Sequence, residues 1–221
     1  MKDSHNLRWR IVTILLIASL LPLGLLAIGA WILSERILEQ KALEMHHRLL
    51  ESHARSVDVY LSERLRALDL VARTNGMEGL RDERKLGYLL SNINDSYGMS
   101  FVDLGVIAED GTHLAYAGPY ELRDKNYAEE PWFKDAMLRG SHISDVFLGF
   151  RRVPHFVLVI LRREGPDKWL LRATINSDVF DKFVQTGRLG KTGDAFIVNS
   201  TGLYQTSPRS GSVLEQSPIT S

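Results

Sequence analysis

From Ile11 to Leu33 no position carries a charge, and Arg8 and Arg10 stand immediately before the run. As a helix rising about 1.5 Å per residue it spans roughly 34 Å, enough to cross a hydrocarbon core of about 30 Å. Pro22 and Gly24 loosen such a span without preventing insertion. Lys2, Arg8 and Arg10 outweigh Asp3, so the positive-inside rule puts residues 1–10 in the cytoplasm and everything after about residue 34 outside it. A cleavable signal peptide ending near Ala27, Gly29 and Ala30 is the competing reading. The apolar run exceeds the usual signal core, however, and leads straight into helical sequence.

Residues 34–75 form the next unit. Leu38, Met45, Leu49, Val57, Leu61, Leu65 and Leu68 recur at three- and four-residue steps among Glu, Lys, Arg and His. That pattern predicts one long helix with a single apolar stripe, ended at Asn75-Gly76. A helix leaving a membrane in this way suits the transmission of a displacement and parallel pairing with a second copy.

Beyond it, residues 76–187 read as an α+β module. A helix is expected from Asp82 to about Tyr97, with Leu86, Leu89, Leu90 and Ile93 on one side. Alternation then takes over: Phe101–Ile107 and His113–Ala117 flank an Asp110-Gly111 turn as a hairpin. A loop from Gly118 to Glu130 precedes a short helix around Trp132–Arg139. Strands follow at Ile143–Phe147, Phe156–Leu161 and Trp169–Ile175, the second apolar throughout and expected at the sheet's centre. Ser177-Asp178 caps a last short helix. The expectation is an antiparallel sheet of about five strands with flanking helices.

Residues 188–221 begin another strand–turn–strand at Ala195–Val198 and Leu203–Thr206, with no element expected after Pro208. The stretch reads as the start of a second, membrane-proximal module left incomplete, since two strands cannot bury a core. Composition adds exclusions. Basic and acidic residues balance at 27 each, which argues against a nucleic-acid partner, and the absence of cysteine removes disulfides and thiol chemistry.

The order of these segments resembles the double-Cache (PAS-like) extracellular sensor family, the input domains of bacterial sensor histidine kinases, chemoreceptors and cyclic-dinucleotide enzymes. The stretches that carry the resemblance are Asp103–Ile107 with Asp110-Gly111, Tyr127 with Trp132-Phe133, Ile143-Ser144, Trp169–Phe183, and Gly190–Val198 with Thr201-Gly202. The segment running on to Thr206 looks most like the histidine-kinase members. The resemblance implies a ligand pocket in the membrane-distal module, between the sheet and the loop and helix around Trp132. Its candidate lining is Tyr116, Tyr120, Lys125, Tyr127, Trp132, Phe133, Asp145, Phe147, Arg151 and Arg152. Amino-acid-binding members carry an Arg two residues before the aromatic pair and an Asp on a following strand. Here those positions hold Glu130 and Gly149. The expected ligand is therefore a small organic anion, with Lys125, Arg151 or Arg152 as its cationic partner.

Other chemistry is weaker. Ser52-His53-Ala54-Arg55 lacks the acidic residue of a phosphoacceptor stretch and reads as a solvated helix face. Gly190-Lys191-Thr192-Gly193 fails phosphate-loop spacing. His46 has Leu50 rather than a second ligand four residues on, so neither metal nor other cofactor is expected. The sequence alone thus points to the periplasmic or extracellular sensory input of an inner-membrane protein, most naturally a two-component histidine kinase whose catalytic part lies outside this chain. A chemoreceptor or diguanylate cyclase input domain, and an anchored binding protein without output, are the alternatives.

Overall fold

The computed structural model describes residues 3–188 and 190–218. Residues 1–2 of the expected cytoplasmic stretch, with Leu189 and residues 219–221 of the expected second module, lie outside them. The chain falls into two compact units, Met1–Ser52 and His53–Ser221. The first is helical from Asp3 and includes an apolar window, Ala18–Glu35, of mean hydropathy 1.6, whose described side chains are all exposed. By length and composition it can cross a membrane.

Helix α1 (Asp3–Leu80) is interrupted at Gly76, whose φ of 65° and ψ of 173° are not helical. Glycine alone takes that conformation without penalty, which is why the helical pattern stops at Asn75-Gly76. The Glu164 carboxylate accepts the Met77 N–H at 3.2 Å, satisfying a donor freed by the break.

Within the second unit, α2 (Glu83–Tyr97) starts at Asp82, whose carboxylate caps the Arg84 and Lys85 amides. The strands β1 (Phe101–Ala108), β2 (His113–Ala117), β3 (Ser141–Ile143), β4 (Val157–Glu164) and β5 (Asp167–Ile175) form one antiparallel sheet in the order β2-β1-β5-β4-β3. Helices α3 (Pro131–Arg139) and α4 (Ser177–Gln185) complete the α+β layers. Periodicity anticipates the five strands but not their order. The Phe156–Leu161 run becomes β4, buried on both faces yet one place off centre. β5 takes the middle, because it pairs with β1 on one side and β4 on the other. The Ile143–Phe147 strand is shorter than expected. Only Ser141–Ile143 joins the sheet, and Phe147 instead makes an isolated bridge to His155.

The two faces have different cover. Leu104, Val106, Leu158, Ile160, Trp169, Leu171, Ala173 and Ile175 pack on one face with Leu68, Val71 and Ala72 of α1, Leu86 and Ile93 of α2, and Phe180 and Val184 of α4. His53 is half-buried, 2.8 Å from the Val184 carbonyl and stacked on Phe183, so it belongs to this packing rather than to a solvated helix face. On the other face Ile107, Val157, Val159 and Leu170 pack with Tyr127, Trp132, Phe133 and Ala136. A register shift between Phe101 and Asp103 turns Phe101 to the first face and leaves Asp103 on the second.

The segment after α4 makes isolated bridges, Val198–Tyr204 and Leu203–Gln216, where two strands were expected. The tail beyond Pro208 also takes part: Leu214 donates to Tyr204 O, and Tyr204 donates to Glu215 O. Gln205 is buried, and its side-chain oxygen accepts the Val146 N–H at 2.6 Å.

Candidate functional site: a buried arginine–aspartate cluster

One row across the sheet runs Tyr116 (β2), Gly105 (β1), Arg172 (β5), Val159 (β4) and His142 (β3). Gly105 leaves the space its large neighbours need: a Cβ there would lie 2.8 Å from His113 Nε2 and 3.7 Å from Arg172 Nε. The next row sets Asp103 opposite Thr174. Alternation thus puts Asp103, Arg172 and Thr174 on the sheet face beneath α3 and the loop from Gly118 to Glu130.

These side chains are charged and dry. The Asp103 side chain is 0 % exposed, and those of Arg151 and Arg172 are each 2 % exposed. Arg172 Nη2 donates to Asp103 Oδ1 at 3.1 Å, and its Nη1 donates to the Tyr127 hydroxyl at 3.3 Å. Tyr116 Oη donates to Asp103 Oδ2 at 3.0 Å and accepts the Tyr120 amide at 3.2 Å. Arg151 arrives from a 3₁₀ turn (Gly149–Arg151), pairs with Asp103 Oδ2 and donates to Thr174 Oγ1 at 2.6 Å. Its guanidinium lies 4.6 Å above the Tyr120 ring, and that of Arg172 lies 5.2 Å from the Tyr127 ring. Among the described residues, Arg151 Nε and Arg172 Nε have no hydrogen-bond partner although both are buried.

Two cavities meet here. The inner one, about 10 Å³, is lined by Tyr127, Glu130, Trp132, Phe147, Phe150, Arg151, His155 and Arg172 among others. The outer, about 420 Å³, is bounded by Glu130, Pro131, Trp132, Asp135, His142, Ile143, Ser144, Asp145 and Phe147. Glu130, Trp132 and Phe147 line both, so they form the partition.

The candidate residues divide accordingly. Tyr116 and Arg151 bond Asp103 directly, Tyr120 and Tyr127 reach it through Tyr116 and Arg172, and Trp132 and Phe147 wall both cavities. Asp145 borders the outer cavity and accepts from Asn199 Nδ2 at 3.0 Å. Phe133 is 5 % exposed within the apolar cluster. Lys125 and Arg152 are exposed, the Lys125 ammonium lying 5.7 Å from the Phe150 ring. Sequence reasoning missed Asp103, Arg172, Thr174 and His155. The signal was there for the first two: a charge in the middle of an apolar strand needs a buried partner, and each strand carries one.

Burial lowers the pKa of Arg151 to about 9, with the charge of Arg172 adding to the effect. Arg172 is lowered too, chiefly by burial, and burial raises the hydroxyls of Tyr116 and Tyr127. His113 and His155 are each pushed down to about 4, first by burial. For His113 the Arg172 charge comes next. For His155 the Val153 carbonyl opposes the shift, while Arg151 and Arg172 reinforce it.

Both imidazoles are therefore neutral when folded, whereas the unfolded chain protonates them near pH 6.5. Their contribution is fully present above pH 6.5 and is lost as pH falls to about 4. Melting temperature followed downward through this window should decline, and His155→Gln should make the decline shallower. A profile as steep in the variant as in the parent contradicts the buried, neutral assignment of His155.

No protein-family model matches the chain, and no curated protein matches it in sequence. Solved structures share its fold. The ligand-binding domain of the Pseudomonas aeruginosa PAO1 amino acid chemoreceptor PctB, in complex with L-Gln, is 20% identical with a TM-score of 0.56. The match covers 77% of this chain and 70% of that one. The sensory domain of the Campylobacter jejuni chemoreceptor Tlp3 with isoleucine bound is 13% identical, covering 76% and 71%, with a TM-score of 0.60. An extracellular ligand binding receptor from Desulfohalobium retbaense reaches a TM-score of 0.63 at 11% identity, over 76% of this chain and 32% of that one. The chain shares the fold of these ligand-binding and sensory domains.

Proposed function

We propose that this chain is the extracytoplasmic ligand-sensing input region of a membrane-bound signalling protein, anchored by residues 11–33 with its N-terminus in the cytoplasm. The observation that carries this reading is the buried cluster. In a fold found among ligand-binding domains, two guanidiniums that share the buried Asp103 carboxylate line an aromatic-walled cavity beside the sheet. Such a buried, shared ion pair does little for stability and suits recognition.

The ligand in this reading is a small organic anion. The relatives named above hold L-Gln and isoleucine. Here Glu130 stands at the partition, where the resemblance expects the arginine for an amino acid's carboxylate. The output is a two-component histidine kinase, with residues 34–75 pairing in a parallel homodimer and passing a displacement toward the bilayer. A chemoreceptor input is the second reading, favoured by the fold of PctB and Tlp3. Signal requires that the ligand prefer one of two arrangements of the domain.

A thermal-shift screen of organic acids, amines and amino acids on the full chain in detergent tests the reading. A binder at a hundredfold its Kd adds about 2.7 kcal/mol, which corresponds to a rise of roughly 5–10 °C. At least one organic acid should give a saturable rise of that order. A screen in which no small molecule does so contradicts the sensing role.

A further inference from the structure

We infer that the Leu148–Val153 turn is the gate of a monocarboxylate site, in which Arg151 leaves Asp103 to pair with the ligand while Arg172 keeps Asp103 neutralised. The inference rests on the sensing reading above and names the ligand class and the moving part.

Charge accounting comes first. Asp103 accepts from Arg172 through Oδ1 and from Tyr116 through Oδ2, so it stays paired and hydrogen-bonded without Arg151. Arg151 shares Asp103 with Arg172, and Glu130 on the cavity wall forms no ion pair with either guanidinium among the described residues, so Arg151 has no carboxylate to itself. A buried charge with no counter-charge of its own is costly, and one more negative charge would relieve it. The lowered pKa of Arg151 is in line with that cost. Arg151 also keeps a free Nε–H among the described residues, so a carboxylate can be held on two parallel N–H groups. Glu130, lining the same cavity, opposes a second negative charge, which selects monoanions over dianions.

The turn itself is inside out. Leu148, Phe150 and Val153 are 49%, 44% and 43% exposed, while Arg151 between them has its side chain buried. An element arranged only for stability would do the reverse. Within the turn, Phe150 and Arg151 stand between two residues in the left-handed region, Gly149 at φ 51° and Arg152 at φ 57°. The second is unfavourable for a residue with a side chain. Finally, a cavity of about 10 Å³ has room for one water at most, so a carboxylate enters only when something moves. The turn that carries both Arg151 and Phe150 leaves three apolar side chains exposed, and its Phe150 ring meets the Tyr127 ring edge-on at 5.4 Å. Drawn further over a ligand, it would bury the rest of Phe150 against Trp132.

Sodium propanoate titrated against the full chain in detergent, with sodium chloride at matched ionic strength as reference, tests this. Melting temperature should rise saturably with propanoate beyond the chloride reference. Sodium succinate should give a much smaller rise. Arg151→Gln should weaken the propanoate response at least tenfold, and Arg152→Gln, at the exposed neighbour, should leave it unchanged. Should Arg151→Gln fail to fold, Phe150→Trp supplies an independent readout, because closure should shift its emission to the blue as propanoate saturates. Propanoate acting no differently from chloride overturns the inference, as does succinate acting as strongly as propanoate or a Phe150→Trp emission that stays fixed. If propanoate fails while an amine or amino acid in the wider screen stabilises the chain, the monocarboxylate site falls and the sensing reading stands. If no compound stabilises it, both fall.

Discussion

Asp103→Asn is expected to lower the unfolding free energy by about 3–5 kcal/mol, the cost of leaving buried charges without their partner. Asparagine keeps the shape of the side chain, so packing is conserved and the change isolates the charge. In the parent, Asp103 receives Arg172, Arg151 and Tyr116 with its side chain fully buried. In the variant two guanidiniums face one another on the same sheet face with no carboxylate between them. Urea denaturation followed by tryptophan fluorescence measures the loss, since Trp132 and Trp169 are both buried. Adding Arg151→Met to Asp103→Asn should recover part of the loss, because it removes one of the two orphaned cations. The two changes should therefore couple rather than add. A single-variant loss below about 0.5 kcal/mol, the range typical of surface substitutions, would mean that water reaches the cluster.

Trp132→Ala carries the second large effect, a loss of about 3–5 kcal/mol as for other buried aromatic truncations. Read as a pocket wall in the sequence, Trp132 would tolerate truncation with little change in stability. The structure assigns it a double position: it lines both cavities, yet it is 3% exposed and packs with Tyr127 and Phe133 in the cluster on that sheet face. Trp132→Phe should keep most of the stability while enlarging the partition between the cavities. The same denaturation experiment separates the two variants. Equal stability of Trp132→Ala and the parent would place the indole at the surface and remove the partition.

Much of the fold was legible because hydrophobic period reports which face of an element is buried. Phe101–Ile107, His113–Ala117 and Trp169–Ile175 show their alternation plainly, and Gly76, Gly111 and Gly140 mark places where the backbone takes positive φ. Sheet order was not legible, since period does not name a strand's neighbour. An apolar run such as Val157–Ile160 fits any interior position. The site was half legible. Aromatic density between Tyr116 and Phe133 points to the right loop and helix, but the charges that give the pocket its chemistry sit in the strands. Asp103 and Arg172 are 69 residues apart, and only pairing of β1 with β5 brings them together. Arg151 and Arg152 are indistinguishable as letters. One residue of rotation along the turn buries the first and exposes the second. The segment after Gly187 shows a further limit. Its scattered backbone bonds are joined by side-chain ones through Gln205 and Thr206, which no alternation rule registers.

The most direct test of an outward-facing sensor on a membrane anchor is single-cysteine labelling in intact cells, in a chain that has no cysteine of its own. Ser200→Cys, at an exposed position of the second unit, should react with a membrane-impermeant maleimide. Ser4→Cys should react only after the membrane is permeabilised. Labelling of Ser4→Cys alone in intact cells would put the Asp103–Arg172 site in the cytoplasm and contradict the account.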